Sequence, residues 1–240
     1  ITYDRQNTEG LKLGDKLWIR AQSVIPDGNS FFSKRPNLFL KKNWPTYFSK
    51  ARGCYIWDLE KKKYIDFSFM GVGTNVLGYS NKNVDNEVKK IINKSNMSTL
   101  NSLEEVLLAE KLIELNPWAK KVKFARSGGE ANLLAIRISR AYTGKHKVAF
   151  CGYHGWHDWY LSSNIQNKNT LNSHLFSDLK IEGVPKFLKK TSYSFNYNDY
   201  STFKRLIEEN KDIGTVIMEV TRNFAPKLNF LKKIRKVCDE

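Results

Sequence analysis

"FARSGGEANLLAIRISRA", residues 124–141, decides how the chain is read, because a glycine pair joins two different patterns within it. Before the pair, Val122, Phe124 and Ala125 form a short apolar stretch of strand type; after it, Ala131, Leu134, Ala135, Ile138 and Ala141 recur at helical spacing. A strand over 122–126 and a helix over 130–142 are expected. A helix N-terminus presents unpaired backbone N–H groups and the positive end of its dipole, and glycines let that backbone approach an anion with no Cβ in the way. Ser127, Gly128 and Gly129 are therefore candidates for a phosphate cradle, the Ser127 hydroxyl adding a donor. The competing reading is a tight strand-to-helix turn with Ser127 as N-cap.

Outward from this stretch, strands and helices alternate. "KVAFC" (147–151) and "GTVIMEV" (214–220) read as strands, while residues 84–93, 103–115, 202–210 and 230–240 read as helices. Ser102 is placed to cap the 103–115 helix, with Glu105 in the capping-box position. Alternation of this kind implies an α/β fold, a mainly parallel sheet with helices on both faces, and ligand binding outside the carboxyl ends of the strands. The first 77 residues differ in texture: an irregular, aromatic segment with "IPDGNSFFSKRPNLF" (25–39), then a hairpin over 54–67 turning at "LEKKKY" (59–64). The expected division is an N-terminal segment, 1–77, belonging to a smaller α+β domain, and a larger domain from 78 to 240.

The second constellation, "CGYHGWHDWY" (151–160), follows the 147–151 strand and falls at the same end of the sheet as the glycine turn. It groups Tyr153, Trp156, Trp159 and Tyr160 around His154, His157 and Asp158. Aromatic rings beside a phosphate site suit the stacking of a flat heterocycle. Cys151, His154, His157 and Asp158 have spacings tolerable for zinc, but no distant second cluster completes such a site, and no metal is expected.

Composition bounds the remaining classes. The chain has 240 residues, 41% hydrophobic and 13% aromatic, enough for a sizeable core. No apolar run is long enough to span a membrane, and "ITYDRQNTEGLKLGDKLW" (1–18) lacks the layout of a signal peptide. Cys54, Cys151 and Cys238 are scattered with no C-x-x-C pair, which suits a reducing, cytoplasmic compartment. The formal charge of +16 raises nucleic-acid binding. Its lysines, however, are spread along the chain, from Lys41 and Lys42 through Lys61, Lys62 and Lys63 to Lys232 and Lys233, rather than gathered on one face. The charge is read as a solvated surface with weak adhesion to polyanions, not a specific footprint.

Residues 124–161 taken together resemble the pyridoxal-phosphate segment of the class III aminotransferases, most closely the glutamate-1-semialdehyde 2,1-aminomutase branch of that family. "YIDF…GVGTNVLGY" (64–79), "EEVLLAEKLIELNP" (104–117) and "GTVIMEV…NFLKKIRKVCDE" (214–240) fit the family order. The resemblance implies a fold-type I, pyridoxal-phosphate-dependent transferase that moves an amino group by Schiff-base chemistry on a small amino or carbonyl substrate, as a homodimer. It also implies residue roles. Ser127, Gly128 and Gly129 occupy the phosphate turn, Tyr153 stacks on the pyridine ring, His154 completes the Y-H-G signature, and Glu219 stands near the cofactor ring.

Three positions depart from the family pattern. Position 129 usually carries Thr, Ser or Ala there, so Gly129 lacks a hydroxyl contact to the phosphate. Val220 replaces the usual Pro after the strand glutamate. Arg35, two positions late for the aminomutase arginine that meets the substrate carboxylate, is either that residue or an ordinary surface arginine beside Pro36. A transaminase using another amino donor, such as an amino sugar or a diamine, is therefore an alternative, and a non-catalytic phosphate-ligand or polyanion-binding domain is the reading from outside the enzyme class. The chain is expected to be an N-terminal piece of the enzyme, inactive alone: the resemblance places the Schiff-base lysine and the aspartate that pairs with the pyridine nitrogen beyond residue 240.

Overall fold

The computed structural model describes residues 10–40, 44–174, 180–221, 223–227 and 229–240. Residues 1–9 and the Lys41–Lys42 pair of the surface-charge reading lie outside them. The chain forms two compact units, Ile1–Val106 and Leu107–Glu240.

In the first unit, helix α1 (Leu13–Val24) precedes three short 3₁₀ turns, a three-stranded antiparallel sheet of β1 (Phe48–Arg52), β2 (Tyr55–Asp58) and β3 (Lys63–Ile65), and helix α2 (Lys82–Lys94). The expected hairpin is β2–β3. Its turn is held by Asp58, whose carboxylate accepts from the Lys62 N–H at 2.8 Å and from the Tyr64 hydroxyl at 2.8 Å, while Lys61 takes the left-handed conformation at φ 65°. Burial first, and Asp58 second, push the Tyr64 hydroxyl up to about 12. Asn81 caps α2, accepting from Asn83 N–H at 3.1 Å and Val84 N–H at 3.3 Å, which starts the helix two residues before the apolar periodicity does. Gly53 and Tyr79 bridge backbone to backbone, and Ser80 Oγ donates to Ala51 O at 3.1 Å. Residues 79–80 thus pair with the N-terminal sheet. The division between the two units falls inside helix α3 (Leu103–Leu115), where Ser102 Oγ accepts from Glu104 N–H at 3.2 Å.

The second unit is the α/β part. Helix α4 (Gly128–Thr143) leads to strand β4 (Lys147–Cys151), the short helix α5 (Asp158–Leu161), β5 (Ser192–Ser194), α6 (Tyr200–Glu209), β6 (Ile213–Met218) and α7 (Phe230–Asp239). The strands pair in parallel in the order β5–β4–β6. A strand paired on both edges and covered on both faces should be apolar throughout, and β4 is: Val148, Ala149, Phe150 and Cys151 are all buried. Alternation then sends Val148 and Phe150 into one cluster with Ile136 of α4, Trp159, Tyr160 and Leu171. Ala149 and Cys151 enter a second cluster with Phe195, Phe203 of α6, and Phe230 and Ile234 of α7. Helices cover both faces of the sheet, as the alternating pattern requires.

The expected strand at 122–126 does not form. Its side chains do alternate, Val122 and Phe124 half-buried between exposed neighbours, but no described residue pairs with this backbone. Period-2 patterning without a ladder partner leaves an extended segment and no strand.

Phe150 is fully buried and sits edge-on to Trp159 at 6.2 Å between ring centroids. Phe150→Ala should cost about 3–5 kcal/mol in chemical denaturation; a loss under about 1 kcal/mol would show that the β4 core repacks freely.

Candidate functional site

The candidate site is built at the carboxyl ends of β4 and β6 and the N-terminus of α4. Ser127 is the N-cap: its backbone is extended (φ −144°, ψ 160°) and its Oγ accepts from Glu130 N–H at 3.3 Å. Glu130 returns the contact one residue further back, its carboxylate accepting from Arg126 N–H at 2.8 Å. Both readings of the Ser127 turn are therefore compatible, because a capping hydroxyl that accepts through its oxygen still has its own proton to donate. A Cβ added at Gly128 would meet nothing within 4 Å, so the first turn of this 16-residue helix is open beside Gly128.

Past β4 the chain turns sharply. Gly152 has φ 98°, so the backbone conformation calls for glycine, and a Cβ there would lie 2.6 Å from Glu219 Oε2 and displace that carboxylate. Glu219 is set in place because its N–H donates to Cys151 O at 3.1 Å, one step beyond β6. The loop then folds onto α4. Gly155, at φ 103°, would carry a Cβ 3.2 Å from Gly129 Cα, so the two backbones touch with no side chain between them. Asn132 of α4 secures the contact, its side-chain amide donating to His154 O at 3.1 Å.

The structure sorts the sequence candidates by orientation. Tyr153 is 39% exposed and stands edge-on to Tyr160 at 6.1 Å, leaving its ring available to a ligand. His154 points the other way: it is 5% exposed, with Nε2 2.9 Å from Cys151 O, inside an aromatic cluster of Phe150, Trp159 and Tyr160. Burial lowers its pKa, against the raising effects of the Cys151 carbonyl and Glu219. Cys151, buried and facing the Glu219 charge, is pushed up to about 12 and is an inert thiol. Arg35, in the first unit, is paired with the Asp27 carboxylate. Among the described residues, no three of His, Cys, Asp and Glu gather as a metal site.

Other residues that shape the site carry no motif. Tyr160 donates its hydroxyl to Gly152 O at 3.0 Å, and Gly152 N–H donates to His174 Nδ1 at 3.1 Å. Only the aromatic density of "GWHDWY" signals Tyr160; nothing in the sequence signals His174 or Asn132.

Residues 40–240 match the family described as aminotransferase class-III. The chain belongs to that family. It is 31% identical over 242 residues to the 3-aminobutyryl-CoA aminotransferase of Cloacimonas acidaminovorans strain Evry, covering 97% of this chain and 54% of that protein. It is 34% identical to the glutamate-1-semialdehyde 2,1-aminomutase of Nitrosopumilus maritimus, covering 94% and 52%. In fold it is similar to an omega-transaminase from Sphaerobacter thermophilus, with a TM-score of 0.80 at 23% identity, over 97% of this chain and 54% of that one. The architecture is that of the fold-type I transferases, and the chain spans about half the length of the curated relatives it matches. Class III membership indicates pyridoxal 5′-phosphate as cofactor. The residues present fit it: an open helix N-terminus for the phosphate, an exposed tyrosine ring, and a carboxylate at the end of β6.

His154 makes the loop sensitive to acid. Because its native pKa is lowered, the unfolded chain binds a proton that the folded chain does not once the pH falls below about 6.5. Stability is therefore full above that value and is lost as the pH drops through the window between it and the lowered native value. Thermal unfolding from pH 7.5 to 5 should show this loss in the parent and a shallower one in His154→Gln; identical slopes would contradict it.

Proposed function

We propose that the protein containing this chain transfers amino groups with pyridoxal 5′-phosphate, in the manner of the glutamate-1-semialdehyde 2,1-aminomutase relatives. The observation that carries this reading is the seating of loop 152–157 on the N-terminus of α4, where Gly155 meets Gly129, the helix is open beside Gly128, and the same loop exposes the Tyr153 ring. When bound, the cofactor supplies a carbonyl that takes up an amino group and a conjugated ring that withdraws electrons from it.

The chain's own residues bind and orient. Backbone N–H groups of Gly128 and Gly129, with the positive end of the α4 dipole and the Ser127 hydroxyl, hold the phosphate. Tyr153 covers one face of the ring. Glu219 supplies negative charge at the end of β6, where it favours a cationic ring system. His154 acts from beneath as a positioning residue, tying the loop to Cys151 O so that Tyr153 keeps its outward direction.

A second reading is favoured by one observation. Arg35, the candidate for a substrate carboxylate, is already engaged by Asp27, which suits a transaminase whose donor is recognised elsewhere, such as an amino sugar or a diamine. The protein is proposed to be a cytoplasmic homodimer; among the described residues no helix is long and apolar enough to cross a membrane. Phe67, Phe69, Met97 and Leu100 are strongly exposed apolar side chains.

A screen of amine donors and carbonyl acceptors on the full-length protein, with glutamate-1-semialdehyde included, tests the activity. Turnover of that compound alone to 5-aminolevulinate supports the aminomutase, and turnover of other pairs alone supports the second reading. No turnover, together with no binding of pyridoxal phosphate, would leave a phosphate-ligand or polyanion-binding domain. In titrations of the cofactor-free protein, Tyr153→Ala should weaken binding by about 0.5–1.5 kcal/mol beyond the loss of area, while Tyr153→Phe stays near the parent. Equal effects of the two would argue against stacking.

A further inference from the structure

His157 lies where the family pattern leads one to look for a different side chain. A Cβ built on Gly129 would fall 3.0 Å from His157 Nε2 and 3.1 Å from Cδ2, so the imidazole fills the space that a residue at 129 would enter. Gly155 completes the packing, its own Cβ position lying 3.9 Å from the same Cδ2. The ring is half-buried and stacked on Trp156, with centroids 4.9 Å apart and planes 13° apart. Its backbone is pinned as well: His157 O accepts from Tyr160 N–H at 2.9 Å and Leu161 N–H at 3.1 Å. Among the described residues neither ring nitrogen makes a hydrogen bond. A positioned imidazole with unused donor capacity therefore borders the first turn of α4, at the one position where the phosphate turn has lost its hydroxyl.

We propose that His157 replaces the hydroxyl missing at position 129, its ring N–H donating to a phosphoryl oxygen of the ligand held at the α4 N-terminus. This rests on the cofactor reading given above. Two features support it. The two groups share one place, because a side chain at 129 would press on the His157 ring and shift it by a few tenths of an ångström. It also conserves chemistry, since either group delivers one side-chain donor to an anion that the backbone N–H groups already face.

The test uses the full-length protein stripped of cofactor, titrated separately with pyridoxal 5′-phosphate and with pyridoxal, and followed by absorbance. The ratio of the two affinities reads the phosphate contact independently of turnover. In His157→Phe, which keeps a ring against Trp156 and loses the donor, and in His157→Ala, that preference should fall about tenfold or more, while pyridoxal binding changes little. Gly129→Thr alone should also lose preference, because the ring obstructs the new side chain. The double variant Gly129→Thr with His157→Ala should regain most of it. Thermal unfolding of each variant separates a lost contact from a lost fold. A preference retained in both His157 variants overturns this inference and leaves the cofactor reading intact. A parent protein that does not discriminate the phosphate ester from pyridoxal overturns the cofactor reading itself, and this inference with it.

Discussion

The contact between Gly129 and Gly155 is the constraint on which the rest of the site depends. Loop 152–157 lies directly on the α4 N-terminus because Gly155 carries no side chain there, since its Cβ would stand 3.2 Å from Gly129 Cα. Several weaker features converge on keeping that contact closed. The buried run of β4 fixes where the loop begins, Glu219 packs against the Gly152 turn, and Asn132 reaches from α4 to the His154 carbonyl. None of these would place a ring beside the helix terminus alone. Together they give the loop one path.

The residues of the loop divide by direction into two kinds of work. His154 and Tyr160 face inward, where burial and backbone carbonyls hold them; the nearby Cys151 thiol is likewise buried and unreactive. Tyr153, Trp156 and His157 are exposed or half-buried, and of these the His157 ring borders Gly129. The signature tyrosine and histidine are adjacent in sequence yet differently placed, Tyr153 exposed and His154 buried. The strongly basic composition does not define the candidate site, whose proposed anion contacts are backbone N–H groups and a helix dipole; in the hairpin, Lys62 and Lys63 lie over the Tyr64 and Tyr55 rings.

Much of this was legible in the sequence. The apolar run "KVAFC" marked a strand, and the helical spacing after Gly129 marked α4 to within two residues of its start. The glycine turn and the Y-H-G-W-H-D segment, which the structure brings together at Gly129 and Gly155, stand out because each needs a special backbone or a dense aromatic cluster, and both are local properties. What stayed hidden depends on partners far along the chain. Helix α1 carries apolar residues at helical spacing, Leu13, Leu17, Ala21 and Val24, within the segment whose turn-rich, aromatic texture reads as irregular. Residues 122–126 carry a strand pattern, but pattern alone supplies no neighbour to pair with. The bond from Asn132 to His154 O and the approach of His157 to Gly129 follow from the closure of the loop, which no spacing encodes.

The most direct test is a crystal structure of the full-length protein soaked with pyridoxal 5′-phosphate. The account predicts phosphate oxygens within about 2.7–3.2 Å of the Gly128 and Gly129 backbone nitrogens, with the Tyr153 ring stacked on the pyridine. A phosphate bound away from the α4 N-terminus, with loop 152–157 lifted off Gly129, would contradict it.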